Sequence, residues 1–302
     1  MYVNHDVILL NKLHAQIENE LNRLGLLFRV FSRSKSEESI KTKISSKAEG
    51  YYSVDGKKLQ DLYGIRIALY FPDDLQIAQK ALEGLYILDS KEVDKQDSEI
   101  FSATRCNYVF KLKKEISDES YILKKIPLVD DTFEVQFRTI LSEGWHEVEH
   151  DLRYKCKDDW DDHPDLKRAL NGIYASLETS EWGMTRLFED LAHRHYKSSE
   201  WPAMMRNKFR LRAGNVLSSE LENAINTGDL GKKIFRLNRA KLLLTILKYK
   251  IDIPINLNNI LYICNHFFLK SSVVNDVTPH VIRAKFSELE DHYNNNKKKM
   301  NK

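Results

Sequence analysis

The chain has 302 residues, 42% of them apolar and 30% charged, and its 47 Lys and Arg against 44 Asp and Glu leave a formal charge of +3. This composition excludes a disordered polymer and predicts one mixed domain plus a smaller module, while the near balance of charge neither demands nor excludes a nucleic-acid partner. Three scattered cysteines, Cys106, Cys156 and Cys264, form no CxxC pair, which argues against structural zinc on cysteines and suits a reducing cytosol.

Taken in order, the first 22 residues lack a basic segment followed by an apolar run, and no window approaches the ~18 apolar residues of a membrane span. The expectation is a cytoplasmic protein with no membrane partner. Val7, Leu10, Leu13, Ile17, Leu21, Leu24 and Leu27 step by three and four, which predicts one amphipathic packing helix over residues 3–30. In residues 31–47, Ser36 followed by Glu37 and Glu38 resembles a helix start, and Arg33, Lys35, Lys41, Lys43 and Lys47 supply positive charge. By composition that segment reads first as a solvated basic helix, with a phosphate site as the alternative. Residues 62–71 are rich in β-branched and aromatic side chains and predict a buried strand with Asp61 at its mouth. Pro72, Asp73 and Asp74 end it and start a helix running to about Leu85.

Further strands are predicted at 86–93 and 105–112. A fourth is predicted at 132–138, where Phe133, Val135 and Phe137 alternate with Glu134, Gln136 and Arg138. The stripe Ile140, Trp145, Val148 and Leu152 predicts a helix, the acidic stretch 158–164 a linker, and residues 165–195 another helix. Helices are also predicted over 204–213, 216–225, 230–248 and 255–269, with 294–302 as a frayed lysine-rich tail. Strand, helix, three strands and helix make an α+β class, helices flanking a mixed or antiparallel sheet, with an all-helical C-terminal region. A soft boundary near Ser198 divides residues 1–197 from 198–302.

Two chemical readings compete. His146-Glu147-Val148-Glu149-His150 fits HExxH, in which two His on one helix face bind zinc and the Glu polarises a water. The motif is short, lacks the HxxGxxH continuation, and has only an unmarked Glu178 to offer as a third ligand. Arg153 and Lys155 make the same helix better suited to phosphates. In the second reading Asp61 and Glu134 meet across neighbouring strands and hold Mg²⁺ with substrate phosphates. The basic residues Arg33, Lys35, Lys41 and Lys43 then neutralise a polyphosphate, which makes a phosphoryl or pyrophosphoryl transfer site. Asp61 as a strand cap and Glu134 as an exposed strand residue is the structural alternative.

In order, SRSKSEESIKTKI, LQDLYGIRIALYFPDD, and FEVQFRT followed by W-x-x-x-E-H-x-L-x-Y-K resemble the synthetase domain of RelA/SpoT-type alarmone synthetases. The small single-domain members are nearest in layout, and the resemblance covers about residues 31–155. It implies a nucleotidyltransferase-like synthetase domain within residues 1–197 that acts as a Mg²⁺-dependent pyrophosphokinase. Pyrophosphate would pass from ATP to the 3′-hydroxyl of GDP or GTP. It implies that Arg33 and Lys35 grip the ATP base and phosphates, that Lys43 and Arg66 lie near the phosphates, and that Asp61 holds Mg²⁺. Glu134 would hold metal or act as base, with Gln136 and Arg138 orienting substrate. Glu149 and His150 match the helix motif, His150 as a buried supporting residue rather than a zinc ligand. Relatives also suggest a homo-oligomer.

One stretch departs from the family. Where the pattern has G-Y-R-S-x-H, with a Tyr that stacks on guanine, this chain has Thr104-Arg105-Cys106-Asn107-Tyr108-Val109. Arg105 or Tyr108 could stack on a base instead, but guanine selectivity is no longer implied. That keeps two alternatives open: toxin-like transfer to the 3′ end of tRNA, and a synthetase fold that only senses nucleotides. No HD-type hydrolase motif precedes the domain, so alarmone degradation is not expected.

Overall fold

A computed structural model describes residues 5–94 and 106–300. The N-terminal helix, α1 (His5–Arg23), is shorter than the periodicity predicts, because Gly25 turns the chain at a φ of +70° and residues beyond it form a strand, β1 (Phe28–Ser34). Leu24 and Leu27 extended the helical spacing by coincidence, while the aromatic and β-branched run from Phe28 favours extended backbone. Ser36 then caps α2 (Glu37–Ser45), its hydroxyl accepting from the Ser39 amide.

Next come β2 (Tyr63–Leu69), α3 (Leu75–Leu85), β3 (Leu88–Val93) and β4 (Cys106–Lys111). Two short helices, α4 (Lys114–Ser117) and α5 (Tyr121–Lys125), lead into β5 (Thr132–Thr139). Among the described residues the sheet has five strands in the order β1-β2-β5-β4-β3, one more than the sequence reading found. Only β2 and β5 run parallel, so the sheet is mixed and the α+β class holds. Tyr63, Ile65 and Ile67 of β2, Phe133, Val135 and Phe137 of β5, and Tyr108 and Phe110 of β4 are all buried. They share one face, with Phe110 and Phe133 ring centroids 5.7 Å apart. The intervening residues therefore line the opposite face, which is where the polar side chains gather.

After β5, α6 (Ile140–Glu149) passes into a wider π turn over His150–Tyr154, and α7 (Pro164–Lys197) follows. The chain then forms α8 (Trp201–Phe209), α9 (Ser219–Ile225), α10 (Leu230–Arg236) and α11 (Arg239–Lys248). The helix predicted over 230–248 is two helices, broken where Asn238 caps the second by accepting from the Lys241 amide. Last come α12 (Leu257–Cys264), α13 (Ser272–Val277) and α14 (His280–Met300). Residues 294–300 are thus helical rather than a frayed tail.

The chain divides into two compact units, Met1–Asn19 with Phe28–Glu181, and Glu20–Leu27 with Trp182–Lys302. In the second, Arg23 Nη1 donates to the Ile251 carbonyl at 2.8 Å, and the Arg212 amide donates to the Gly25 carbonyl at 2.8 Å. Among the described residues no helix is long and apolar enough to cross a membrane.

Candidate active site

The polar face of the sheet is set by register. Glu134 of β5 stands between Gly64 of β2 and Val109 of β4, Gln136 between Arg66 and Asn107, and Arg33 of β1 beside Gly64. Gly64 leaves room for the Arg33 side chain to lie across it, with Arg33 Cγ 3.5 Å from where a Cβ would be. A cleft of about 600 Å³ opens here, walled by Arg33, Arg66, Glu134 and Gln136 from the sheet and by Glu147 and Lys155 from α6 and the turn after it. That volume accommodates a nucleotide-sized ligand.

Hydrogen bonds order the cleft floor. Gln136 Nε2 donates to Glu134 Oε1 at 3.2 Å, and Arg66 Nε donates to Gln136 Oε1 at 3.3 Å. Arg66 Nη1 reaches Glu143 Oε1 at 2.7 Å and also pairs with Glu147, while Arg138 Nη1 takes Glu143 Oε2 at 3.1 Å. Burial opposes the charge on Arg66, yet Glu143 and Glu147 outweigh it and raise its pKa. For Arg138 burial prevails, with the neighbouring Arg66 adding to it, and the pKa falls. Arg138 therefore braces α6 through Glu143.

The second group lies at the mouth of β2. Asp61 Oδ2 accepts from Lys43 Nζ at 2.7 Å and pairs with Lys35 Nζ at 3.2 Å. Burial pushes the Asp61 carboxyl up, but the two ammonium groups together overcome it and hold it below the usual carboxylate range. The expected pairing of Asp61 with Glu134 is revised: Glu134 sits beside Gly64, three residues further along the strand, roughly 10 Å by strand rise. The two carboxylates also have different partners. Lys41 does not join the clamp, since it pairs with Glu37 at 2.6 Å one helical turn away.

The helix residues divide differently from expectation. Glu149 pairs with Arg153 at 3.2 Å, and Arg153 Nη1 donates to Asn171 Oδ1 at 2.8 Å, so Glu149 ties the turn to α7. His150 is exposed, not buried, and sits in the cleft wall with Nδ1 2.9 Å from Asp151 Oδ1. His146 is half-buried against Trp145 and Tyr174, and burial together with Arg138 and Arg66 lowers its pKa to about 3. The helical link from the His150 amide to the His146 carbonyl persists, but the two rings have different partners, His146 packing on Trp145 and Tyr174 while His150 meets Asp151 and stacks on Tyr154. Among the described residues no group of three or more His, Cys, Asp or Glu is placed to hold a metal ion.

Tyr108 is corrected outright. It pairs with Val135 on the core face, is 4% exposed, and packs 5.2 Å from Phe137, so it does not face the cleft. Arg105 lies outside the described residues. The sequence reading passed over Glu143 and took Glu147 only as the glutamate of HExxH, although their i, i+4 spacing directly after a strand bearing Arg138 was the available signal for an arginine clamp.

Residues 32–159 match a family model described as "Region found in RelA / SpoT proteins". Residues 32–159 therefore carry the region found in RelA/SpoT proteins. No curated protein matches the chain. Among solved structures, small alarmone synthetase 1 from Bacillus subtilis is 18% identical and covers 59% of this chain and 89% of its own, with a TM-score of 0.43. A GTP pyrophosphokinase family protein from Streptococcus pneumoniae is 17% identical, covering 63% and 92%, with a TM-score of 0.46.

Every residue named above in the cleft and in the Asp61 group lies within residues 32–159. Within that region Asp61 Oδ1 is buried and has no hydrogen-bond partner. A hard, negatively charged oxygen left unpaired beside two lysines fits a divalent cation shared with phosphates, since such ions take one or two carboxylates together with substrate oxygens.

Proposed function

We propose that the RelA/SpoT domain transfers pyrophosphate from ATP to the 3′-hydroxyl of a guanosine nucleotide, GDP or GTP. The observation that carries this reading is the coincidence of the RelA/SpoT region at residues 32–159 with a cleft walled by Arg33, Arg66, Glu134 and Lys155. The cations suit a triphosphate, and because Glu143, Glu147 and Asp151 are paired with Arg66, Arg138 and Lys155, Glu134 is the cleft carboxylate suited to proton transfer.

In this mechanism Arg33 and Lys35 hold the ATP base and phosphates, with Lys43 and Arg66 at the phosphates. Gln136 fixes one oxygen of Glu134, and the other accepts the acceptor's 3′-hydroxyl proton. The freed oxygen attacks the β-phosphorus, the bond from that phosphorus to the α,β-bridging oxygen breaks, and AMP departs with the bridging oxygen. Asp61 would hold Mg²⁺, which when bound would offset phosphate charge. The protein's own part is to position the reactants.

The test is incubation of the full chain with γ-labelled ATP, Mg²⁺ and either GDP, GTP or deacylated tRNA, followed by separation of products. Label transferred to the guanosine nucleotide with an equal yield of AMP is expected. Label transferred only to tRNA would replace the acceptor, and ATP binding without AMP from any acceptor would make the domain a nucleotide sensor.

A further inference from the structure

The charge of the chain is unevenly distributed. Residues 182–302 hold 21 Lys and Arg against 11 Asp and Glu, a net +10, so within a chain total of +3 the first 181 residues carry −7. The helical unit is therefore strongly basic, which favours a polyanionic partner. Charge alone does not choose among polyanions.

Side chains around the end of α7 do choose. Tyr196 stacks on Phe235 of α10 with centroids 5.0 Å apart and planes at 15°, and His193 lies 5.6 Å from the same ring. All three rings are partly or fully open to solvent. Lysines border them, with Lys208 Nζ 5.4 Å from the Phe235 centroid and Lys197 Nζ 5.9 Å from that of Tyr196. Next to the rings is a cleft of about 440 Å³ whose wall includes Tyr196, Lys197, Trp201 and Lys232. Trp201 is fixed there, since its Nε1 donates to Asn226 Oδ1 at 2.8 Å and its ring fills the space a Cβ on Gly231 would need, 2.5 Å away. Among the acids nearby, Asp229 pairs with Lys233 at 2.9 Å and Glu200 with His195 at 2.9 Å, while Glu189 lies within electrostatic reach of Lys208.

We infer that the helical unit binds single-stranded nucleic acid on this face, with phosphates on Lys197, Lys208 and Lys232 and unpaired bases on the rings of His193, Tyr196 and Phe235. Aromatic rings flanked by lysines suit a strand whose bases are free to stack, whereas a duplex hides its base faces and polyphosphate has none. The inference is independent of the proposed transfer reaction, because binding is read without ATP.

The experiment is fluorescence anisotropy of the full chain with labelled uridine and adenosine oligonucleotides of about 16 residues, a length that spans typical single-strand sites. Binding is expected to weaken as salt rises, with a log–log slope of about −0.7 per phosphate contact. Unlabelled single strand should compete at least about tenfold better than duplex or polyphosphate, the margin that stacking supplies. Lys197→Glu combined with Lys232→Glu should lower affinity about tenfold or more and flatten the slope by about 1.4. His193→Ala, which removes a solvent-facing ring, should weaken oligonucleotide binding but not polyphosphate binding. Circular dichroism confirms that each variant is folded. Absence of binding at low salt, equal competition by duplex or polyphosphate, or unchanged affinity in the double lysine variant would overturn the inference.

Discussion

Glu134, Arg66 and His146 show how differently single residues in one cleft respond to change. Glu134→Gln keeps the size of the side chain but removes its capacity to accept a proton. Under the proposed mechanism it loses at least about 100-fold in transfer rate, the usual scale for a general base, while ATP binding measured by calorimetry stays within a few fold. An active Glu134→Gln protein would remove Glu134 from the chemistry. Arg66→Ala strands one oxygen of Glu143, whose side chain is only 8% exposed and shared with Arg138. It is expected to cost about 1–3 kcal/mol, the desolvation of an unsatisfied buried group. Adding Glu143→Gln should recover part of that loss in urea denaturation. His146 is held neutral in the fold, by burial first and then by Arg138 and Arg66, with a pKa of about 3. The unfolded chain binds a proton there below about pH 6.5. Stability therefore falls as pH drops from about 6.5 toward 3, by up to about 1.4 kcal/mol per unit. In His146→Gln the pH dependence of the denaturation midpoint across that window becomes shallower. An unchanged dependence would mean that the ring is protonated in the fold.

At the scale of elements, the junction between β5 and α6 places the cleft wall. Thr139 ends the strand and caps the helix, its hydroxyl accepting from the Ser142 amide while the Ser142 hydroxyl accepts from the Thr139 amide. Its own hydroxyl pairs with the buried Glu181 of α7. Thr139→Ala should cost about 1–2 kcal/mol from the lost cap, with Thr139→Ser close to wild type, both read as chemical-denaturation midpoints. Because α6 carries Glu143 and Glu147 against Arg66, the alanine variant should also weaken nucleotide binding. The sequence revealed the amphipathic stripe, and with it the element itself. It did not reveal β1, because helical spacing from α1 ran on through Leu27 and the strand's alternation begins only one residue later. The turn at Gly25 separates the two periods, and a lone glycine inside a periodic run gives weak notice of a positive φ.

Across the whole molecule, the segment Glu20–Leu27 belongs with Trp182–Lys302 although it is nearly 160 residues away in the chain. Arg23 joins them. It donates to the carbonyl oxygens of Ile246 and Ile251 at 3.4 and 2.8 Å, closing the C-terminal end of α11, while Glu20 holds its other nitrogens at 2.6 and 3.0 Å. Arg23→Ala should cost about 1–3 kcal/mol, as charged hydrogen bonds do, and should raise amide exchange around residues 246–251 in particular. A loss confined to the sheet would contradict this placement. We retain as a proposal that a synthetase module over residues 1–197 adjoins a helical region over 198–302.

The sequence by itself determined the α+β class, the cap at Ser36, the polar alternation of β5, and the ordered motifs that place a RelA/SpoT domain in this chain. Each of these is local, written in spacing and residue type within a few turns or one strand. Tertiary structure alone decided which residues share a surface. It added a fifth strand, turned Tyr108 into the core, brought His150 out to the cleft wall, and gave Asp61 to Lys35 and Lys43 rather than to Glu134. Those outcomes depend on strand register and on which charges meet after the chain closes, and residues on separate elements do not announce either in sequence.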